Sequence, residues 1–304
     1  MDSWPEPASH ASSLLIIRPG AIGDCLLALP AIHWLMERTR AAAAPEDSPD
    51  IEVWVPTALT PLISGASRVR SIASTGLDQL GIADRQPPQS LVGTLASFDR
   101  IVSWYGGNRP EFRAAAEVTN PNWQFLRALP PPETALHAAD YFASQVGAPL
   151  GCGPSLAVRP PAARHNLIAI QPFSGSTEKN WPLERYRALV RSLPSEVASR
   201  VTWIAGPEEP LEGALRFDDL AELAAWLAGA RLYIGNDSGI SHLAAATGAK
   251  SLVLFGPTDP ASWAPRGRDV RWIRHQPIGE LPVERVLNLA LEAYGSTRIE
   301  EAPG

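Results

Sequence analysis

Asp24 closes a glycine-containing segment that joins a predicted strand to a predicted helix, Arg18-Pro-Gly-Ala-Ile-Gly-Asp24. Gly20 and Gly23 permit a tight turn and a close approach of the backbone to a ligand. A carboxylate at this turn can face a ligand-binding cleft and act as a general base. It can equally be a helix cap that satisfies backbone amides and complements the helix dipole. The residues alone leave both interpretations open.

The same segment does not fit two common nucleotide-binding motifs. A dinucleotide-binding fingerprint needs GxGxxG and an acidic residue after the second strand, but that strand is predicted to end in Trp54-Val-Pro56. A P-loop needs GK[ST] after its glycines, and none follows here. A nicotinamide-dependent oxidoreductase is therefore disfavoured.

Lys179 lies in a second segment of interest, the polar loop Pro172–Pro182 that follows another predicted strand. Its ammonium group is a point charge suited to phosphate oxygens. The chain has 26 basic residues, of which only Lys179 and Lys250 are lysines, so a lysine in this loop is notable. The alternative is an exposed lysine without a ligand. The loop also supplies hydroxyls and accessible amides, from Ser174, Gly175, Ser176 and Thr177.

The third segment is Asn236-Asp-Ser-Gly239, which follows a predicted strand and begins a predicted helix. The first amides of a helix, here those of residues 238–240, have no partner in the helix and lie at the positive end of its dipole, which suits a diphosphate. His242 lies one turn after Ser238, on the same face of the predicted helix. It is either a ligand contact or a structural histidine. Asp237 is either a cap or a partner of the ligand.

The elements that must position these segments alternate between strands and helices. Continuous apolar strands of this kind indicate parallel sheets covered on both faces. The predicted strands are Leu14–Arg18, Ile51–Pro56, Val69–Ala73, Arg100–Trp104, Leu167–Gln171, Val201–Ala205, Arg231–Gly235, Ser251–Phe255 and Val270–Arg274. The predicted helices include Asp24–Thr39, Leu183–Leu193, Asp218–Ala228, Ser238–Thr247 and Pro282–Tyr294.

A stretch rich in glycine and proline, from Gly147 to Ala162, separates two series of strands. We predict two Rossmann-like domains, residues 1–158 and 159–304, with a cleft between the carboxyl ends of their strands. The last helix, Pro282–Tyr294, either completes the second domain or packs back on the first.

Composition excludes several classes of function. The net charge of −6 gives no basic field for nucleic acid. The two cysteines form no CxxC motif and no cluster with histidine, so neither a disulfide framework nor a zinc site is expected. The longest apolar helix candidate, Cys25–Met36, is shorter than the ~20 residues that cross a bilayer. We expect a cytoplasmic protein.

Together the three segments resemble glycosyltransferase family 9, the lipopolysaccharide heptosyltransferase family. The resemblance rests on RPGAIGD followed by LLALPAIHWL, on PFSGSTEKNWP and on NDSGISHLAAATGAKSLVLFGPTDP, in this order along the chain. It implies a GT-B fold, in which the parallel sheets of two Rossmann-like domains face each other across a cleft. It also implies inverting, metal-independent transfer from a nucleotide sugar, with no cofactor.

The resemblance implies a role for each matched residue. Asp24 would be the general base, and Asp237 would lie beside the bound donor. An acid after the next strand would hold the nucleoside, and Glu208 and Glu209 are both candidates. The remaining donor contacts would be Ser174, Gly175, Lys179, Ser238, Gly239 and His242.

The implied donor is a nucleotide sugar, ADP-heptose in this family, bound by the second domain. The implied acceptor, bound by the first domain, is a saccharide or glycolipid such as the lipopolysaccharide inner core. Peripheral contact with the inner face of the cytoplasmic membrane is left open. The chain departs from the family after residue 56, in the half that would bind the acceptor.

Arg109 and Arg113 are acceptor candidates, because residues four apart share a helical face and arginine binds phosphate or carboxylate. They can equally be solvated surface residues. Trp104 and Tyr105 can stack on a sugar or pack in the core. Two alternatives to a transferase remain: another GT-B enzyme, such as a nucleotide-sugar epimerase, and a non-catalytic relative that keeps the binding pocket.

Overall fold

The computed structural model describes residues 13–44, 47–159 and 166–295. Contacts between residues divide the chain into two compact units, Met1–Leu156 and Ala157–Gly304. Each unit contains one five-stranded sheet, and neighbouring strands in both sheets are parallel. This arrangement confirms the predicted α/β class.

The strands of the first unit are β1 (Ser13–Ile17), β2 (Asp50–Val55), β3 (Arg68–Ser71), β4 (Arg100–Ser103) and β5 (Trp123–Phe125). They lie in the order β3-β2-β1-β4-β5. The order reverses between β1 and β4, so the connections after these two strands diverge and leave a crevice at their carboxyl ends. The Asp24 segment follows β1 directly.

The helices of the first unit are α1 (Ile22–Ala42), α2 (Gln89–Ala96), α3 (Pro110–Thr119) and α4 (Ala138–Ser144). α1 packs against β1 and α4. Residues 25–29 of α1 are buried on every side, because this part of the helix lies between other layers.

The strands of the second unit are β6 (Ile168–Gln171), β7 (Val201–Trp203), β8 (Leu232–Asn236), β9 (Ser251–Phe255) and β10 (Val270–Arg274). They lie in the order β10-β9-β8-β6-β7, which reverses between β6 and β8. The Lys179 loop follows β6, and the Asp237 segment follows β8. Both therefore lie at the point where doubly wound sheets bind ligands.

Six helices complete the second unit in the described residues: α5 (Leu183–Ser192), α6 (Ser195–Ala198), α7 (Leu220–Gly229), α8 (Gly239–Ala246), α9 (Pro260–Trp263) and α10 (Val283–Gly295). α10 packs against α5, β8 and β9 of its own unit. A short 3-10 helix, Thr177–Lys179, lies within the loop after β6.

Each unit has an apolar cluster of its own. In the first unit, Leu15, Trp54 and Phe112 belong to one buried cluster. In the second unit, Ile170 and Trp181 belong to another. The clusters share no residue, so each sheet organises a separate core.

All nine predicted strands are present, and their ends differ from the predicted ones by at most two residues. The third was predicted to reach Ala73 but ends at Ser71, because Ile72–Ser74 turns into a 3-10 helix. One strand was missed: β5 has three residues and lies at the edge of the sheet.

Candidate active site

Asp24 is the third residue of α1, and the N-cap position is held by Ala21. The carboxylate is half-buried, and its Oδ2 accepts a hydrogen bond from the Ala21 amide at 3.4 Å. This bond is longer than the usual ~2.7–3.2 Å, so the carboxylate keeps lone pairs for a ligand. Asp24 is therefore not the cap residue itself, although it touches the cap.

Gly20 shapes the turn around Asp24. Its φ of +122° is one that residues with a side chain rarely adopt. A Cβ added at Gly20 would also lie 3.3 Å from the Asp24 Cβ and 3.4 Å from its Oδ2. The turn thus closes tightly on the carboxylate.

Arg18 is a functional candidate that the sequence analysis missed. Its side chain is 1% exposed, and its guanidinium donates to the carbonyl of Asp24 at 2.9 Å and to that of Ala128 at 3.0 Å. The guanidinium carbon lies 4.4 Å from the centre of the Phe142 ring. Burial lowers the pKa of Arg18, and the nearby Cys25 and Asp24 oppose this shift. An arginine directly after an apolar strand was the available signal.

Cys25 packs beneath the same turn. Its thiol lies 3.5 Å from the carbonyl oxygen of Pro19 and 3.7 Å from that of Arg18. Burial raises the pKa of Cys25 to about 12. The thiol therefore stays neutral and acts as a small core residue, as predicted from its lack of a metal-binding pattern.

The strand order of the first sheet reverses between β1 and β4, which we call its switch point. The connection after β4 brings the predicted acceptor residues to the side of this point opposite the Asp24 segment. Arg109 is the N-cap residue of α3, and it donates to the Tyr105 hydroxyl at 3.1 Å. Arg113 lies one turn later, 5.0 Å from the centre of the Phe125 ring. Trp104 is 1% exposed, so it belongs to the core.

An open cavity of about 450 Å³ lies beside Arg113 but not beside Arg109. Its lining residues are Gly107, Asn108, Pro110, Arg113, Ala114 and Glu117. Arg113 pairs with Glu117 at 3.6 Å, and both side chains are about half exposed. The cavity therefore carries both signs of charge at its rim.

In the second unit, Lys179 and Asp237 form an ion pair with 2.7 Å between Nζ and Oδ2. The Asp237 side chain is 7% exposed and that of Lys179 is 35% exposed. The pair joins the loop after β6 to the end of β8. Lys179 is therefore paired and is not an isolated surface lysine, and Asp237 is not the N-cap of α8, which is Ser238.

The start of α8 lies next to this pair. Ser238 is the N-cap residue, and its hydroxyl accepts the amide of Ser241 at 3.3 Å. In the part of the chain that the structure describes, the amides of residues 238–240 donate to no acceptor. Three donors and the positive end of the helix dipole are thus available to an anion.

His242 lies in the first turn of α8 and is 4% exposed. Behind it, Ser241 donates to the carbonyl of Asn236, and the Tyr233 hydroxyl lies 3.1 Å from the Ser241 hydroxyl. Burial raises the pKa of Tyr233 to about 12, so its hydroxyl stays neutral. Gly235 must be glycine, because an added Cβ would lie 2.2 Å from that hydroxyl.

The Ser174 hydroxyl is engaged within its own loop. Its single O–H faces two acceptors, the side-chain oxygen of Asn180 at 2.7 Å and the carbonyl oxygen of Ser176 at 2.8 Å. Gly175 is exposed, and an added Cβ would meet no atom within 4 Å. Ser174 therefore shapes the loop, and the exposed backbone at Gly175 is open to a ligand.

Glu208 and Glu209 differ in their surroundings. The Glu209 carboxylate accepts the amide of Gly206 at 2.6 Å, and Arg216 donates to the Glu209 carbonyl at 2.9 Å. Glu208 is exposed. Glu209 therefore closes the turn after β7, whereas the Glu208 carboxylate points to solvent at the same turn.

Two general features concern the described residues as a whole. Within the segments 13–44, 47–159 and 166–295, no three His, Cys, Asp or Glu side chains group closely enough to hold a metal ion. No helix in these segments combines the length and apolar character needed to traverse a bilayer.

Curated relatives match parts of the chain. Lipopolysaccharide heptosyltransferase 1 of Escherichia coli (strain K12) is 31% identical over 127 residues, which is 38% of this chain and 38% of that protein. The protein of the same name from Pseudomonas aeruginosa is 35% identical over 101 residues, or 30% of this chain and 28% of the relative. The chain therefore aligns with well under half of the length of these relatives.

Solved structures match nearly the whole chain. E. coli ADP-heptose lps heptosyltransferase II has a TM-score of 0.70 at 16% identity, covering 93% of this chain and 98% of that one. A family 9 glycosyltransferase from Veillonella parvula DSM 2008 has a TM-score of 0.66 at 16% identity, covering 94% and 99%. These likenesses confirm the predicted GT-B fold.

A family model described as glycosyltransferase family 9 (heptosyltransferase) matches residues 113–291. The match includes both switch-point segments of the second unit, the Lys179 loop and the start of α8. Because it covers more than half of the 304 residues, the chain belongs to glycosyltransferase family 9.

Proposed function

We propose that the protein transfers heptose from ADP-heptose to a hydroxyl of a saccharide acceptor of the lipopolysaccharide inner-core type. The observation that carries the proposal is the Lys179–Asp237 ion pair beside the unpartnered amides that begin α8. A further support is that a structurally similar protein, E. coli heptosyltransferase WaaC, was solved with ADP and with ADP-2-deoxy-2-fluoro heptose.

The second unit would bind the donor. Its diphosphate would accept hydrogen bonds from the amides at the start of α8 and from the Lys179 ammonium, near Gly175 and His242. Glu208 would accept hydrogen bonds from the nucleoside, because Glu209 is committed to the Gly206 amide. As the bond to the sugar breaks, ADP gains negative charge, and fixed cationic and amide groups stabilise that charge.

Asp24 of the first unit would act as the general base. The acceptor oxygen attacks the anomeric carbon as the bond from that carbon to the diphosphate oxygen breaks, and ADP leaves with the electron pair. The Asp24 carboxylate takes the proton of the acceptor hydroxyl. Attack opposite the leaving group inverts the anomeric centre. The weak contact of Asp24 with the Ala21 amide leaves it able to accept that proton.

The first unit would bind the acceptor near the carboxyl ends of β1 and β4. Arg113, at the cavity beside α3, and Arg109 would meet phosphate or carboxylate groups of an acidic saccharide. Lys179 and the α8 amides would stabilise the charge on the departing diphosphate, the role that a divalent cation has in metal-dependent glycosyltransferases. We place the reaction in the cytoplasm, at the inner face of the membrane when the acceptor is a glycolipid.

The proposal is tested by incubating the purified protein with ADP-heptose and a heptose-free inner-core saccharide. We expect the mass of the acceptor to rise by one heptose, with the release of ADP and an equal rate in EDTA. UDP- and GDP-sugars serve as comparison donors. Transfer from one of those alone would overturn the assignment of ADP-heptose, and loss of the rate in EDTA would overturn the metal-independent mechanism. Tight ADP-heptose binding without transfer would favour the non-catalytic alternative.

A further inference from the structure

Asn236, the last residue of β8, lies beneath the candidate donor site and is fully buried. Its side-chain amide nitrogen donates to the carbonyl of Pro172 at 2.7 Å and lies 3.4 Å from the side-chain oxygen of Asn180. Its side-chain oxygen accepts from the amide of Trp181 at 3.0 Å and from the Tyr186 hydroxyl at 2.9 Å. Pro172 and Trp181 are the two ends of the loop that carries Lys179.

We propose that Asn236 is a positioning residue that holds both ends of the Lys179 loop against the end of β8. Asp237 and Ser238 follow Asn236 directly, so the same residue fixes the ion-pair partner of Lys179 and the N-cap of α8. The inference rests on the proposed donor site, to which Asn236 contributes without touching the ligand.

The chemistry of its two backbone partners selects an asparagine. The carbonyl of Pro172 can only accept a hydrogen bond, and the amide of Trp181 can only donate one. A side chain of this size must therefore present one donor and one acceptor in fixed directions. Aspartate has no donor for Pro172 and would set a carboxylate oxygen against that carbonyl. Leucine would leave both backbone groups buried and unpaired.

The loop between its two ends is closed on itself. The amide of Lys179 donates to the Ser176 carbonyl at 3.1 Å, and the Ser174 hydroxyl donates to the side chain of Asn180 at 2.7 Å. These bonds brace the loop internally, so the contacts at its two ends help to set the position of the Lys179 ammonium.

The end of the loop at Trp181 is anchored in the core. Its indole donates to the carbonyl of Leu281 at 3.0 Å, and its ring meets that of Tyr186 edge to face with 4.8 Å between centres. Burial raises the pKa of Tyr186 well above its usual value, so its hydroxyl remains a donor to Asn236. If the hydrogen bonds of Asn236 were weakened, the Pro172 end of the loop would thus lose its contact before the Trp181 end does.

The test compares Asn236→Asp with Asn180→Asp. Both place a carboxylate in or under the loop, but an aspartate at 180 keeps the oxygen that accepts from Ser174 at 2.7 Å and from Asn236 at 3.4 Å. We expect the Kd for ADP to rise at least ~10-fold in Asn236→Asp and to stay within about twofold in Asn180→Asp. Equal changes in the two variants would mean that added charge, and not lost positioning, weakens binding, and would overturn the inference.

A double-mutant cycle with Lys179→Met separates positioning from a purely structural role. If Asn236 acts by placing Lys179, the loss in ADP affinity on removing Lys179 is much smaller in the Asn236→Asp background. Additive losses would overturn the inference. Should Asn236→Asp fail to fold, Tyr186→Phe removes one donor to Asn236, and we expect it to raise the Kd for ADP about threefold, again without adding to Lys179→Met.

Separate measurements test the donor site and the role of Asn236. A wild-type protein that binds no ADP would overturn the donor site and this inference with it. A wild-type protein that binds ADP, together with an Asn236→Asp variant of unchanged affinity, would overturn the role of Asn236 alone.

Discussion

The Lys179 ammonium lies 2.7 Å from the Asp237 carboxylate, and the two residues follow β6 and β8, the strands between which the order of the second sheet reverses. The carboxylate is buried and the ammonium is partly exposed, so the pair turns its cationic side to solvent. An anion can therefore meet the ammonium while the carboxylate keeps it in place.

Lys179→Met tests this relationship. We expect the Kd for ADP to rise ~10- to 100-fold and kcat to fall ~100-fold, since a preorganised donor to the departing charge is lost. Equilibrium titration and steady-state kinetics measure the two effects. The control is Arg191→Met, which removes an exposed cation from α5 of the same unit. Equal effects of the two substitutions would indicate a general loss of positive charge.

Asp24→Asn separates chemistry from donor binding. Loss of a positioned base lowers kcat by ~10²–10⁴-fold, whereas the Kd for ADP should not change, because Asp24 does not belong to the donor-binding unit. Glu37→Gln, which neutralises an exposed acid of α1, is the matched control. An Asp24→Asn enzyme with wild-type kcat would show that another group takes the proton.

Arg18→Met tests the buried arginine under the Asp24 turn. The methionine fills apolar space but removes the donors to the carbonyls of Asp24 and Ala128. We expect the free energy of unfolding in urea to fall by about 1–3 kcal/mol and kcat to fall with it, because the turn is no longer held. Arg38→Met on the exposed face of α1 should change the free energy by less than about 0.5 kcal/mol. A kcat that stays at the wild-type value would show that Arg18 serves only stability.

The pH dependence of stability should report Cys25. Its pKa is about 12 in the folded protein against an ordinary value of 9.0. Below pH 9 the thiol is protonated in both states, so its contribution to stability is fully present. Above pH 9 the unfolded chain loses the proton first, and stability falls by up to about 1.4 kcal/mol per pH unit.

The variant Cys25→Ser keeps an O–H donor but does not titrate in this range. We expect its free energy of unfolding in urea to fall less steeply than that of the wild type between pH 9 and pH 10.5. Identical slopes would show that Cys25 does not cause the loss of stability. Tyr233, with its pKa also raised to about 12, adds a decline of the same sign in both proteins.

Glu208→Gln and Glu209→Met distinguish the two candidates for the nucleoside contact. We expect the first to raise the Kd for ADP by ~3- to 10-fold without a change in stability. The second removes the acceptor of the Gly206 amide and should lower the free energy of unfolding by about 1–3 kcal/mol. The reverse pattern, with ADP affinity lost only in Glu209→Met, would assign the nucleoside to Glu209.

The features that the sequence predicted well are local ones. The sequence predicted β1 and β9 as buried parallel strands because each contains a short continuous apolar run. The three polar segments at the ends of β1, β6 and β8 were found because turn residues and a helix start follow each strand. The strand order that brings two of these segments to one switch point is a property of pairing that no single segment contains.

The missed features depend on distant partners. β5 consists of only three half-buried residues, Trp123–Phe125, so it shows neither an apolar run nor clear alternation. In the sequence, Asn236 is typical of a turn. Its proposed role depends on hydrogen bonds to Pro172 and Trp181, which are 64 and 55 residues away. The burial and pairing of Arg18 likewise depend on Phe142 and Ala128, which lie far along the chain.

The separate apolar cores of the two units have a consequence for melting. A nucleotide held by the second unit alone adds its binding free energy to the unfolding of that unit, about 2.7 kcal/mol at a concentration of 100 times its Kd. A calorimetric scan in which the two cores melt as separate transitions would show the ADP-dependent shift in the transition of the second unit.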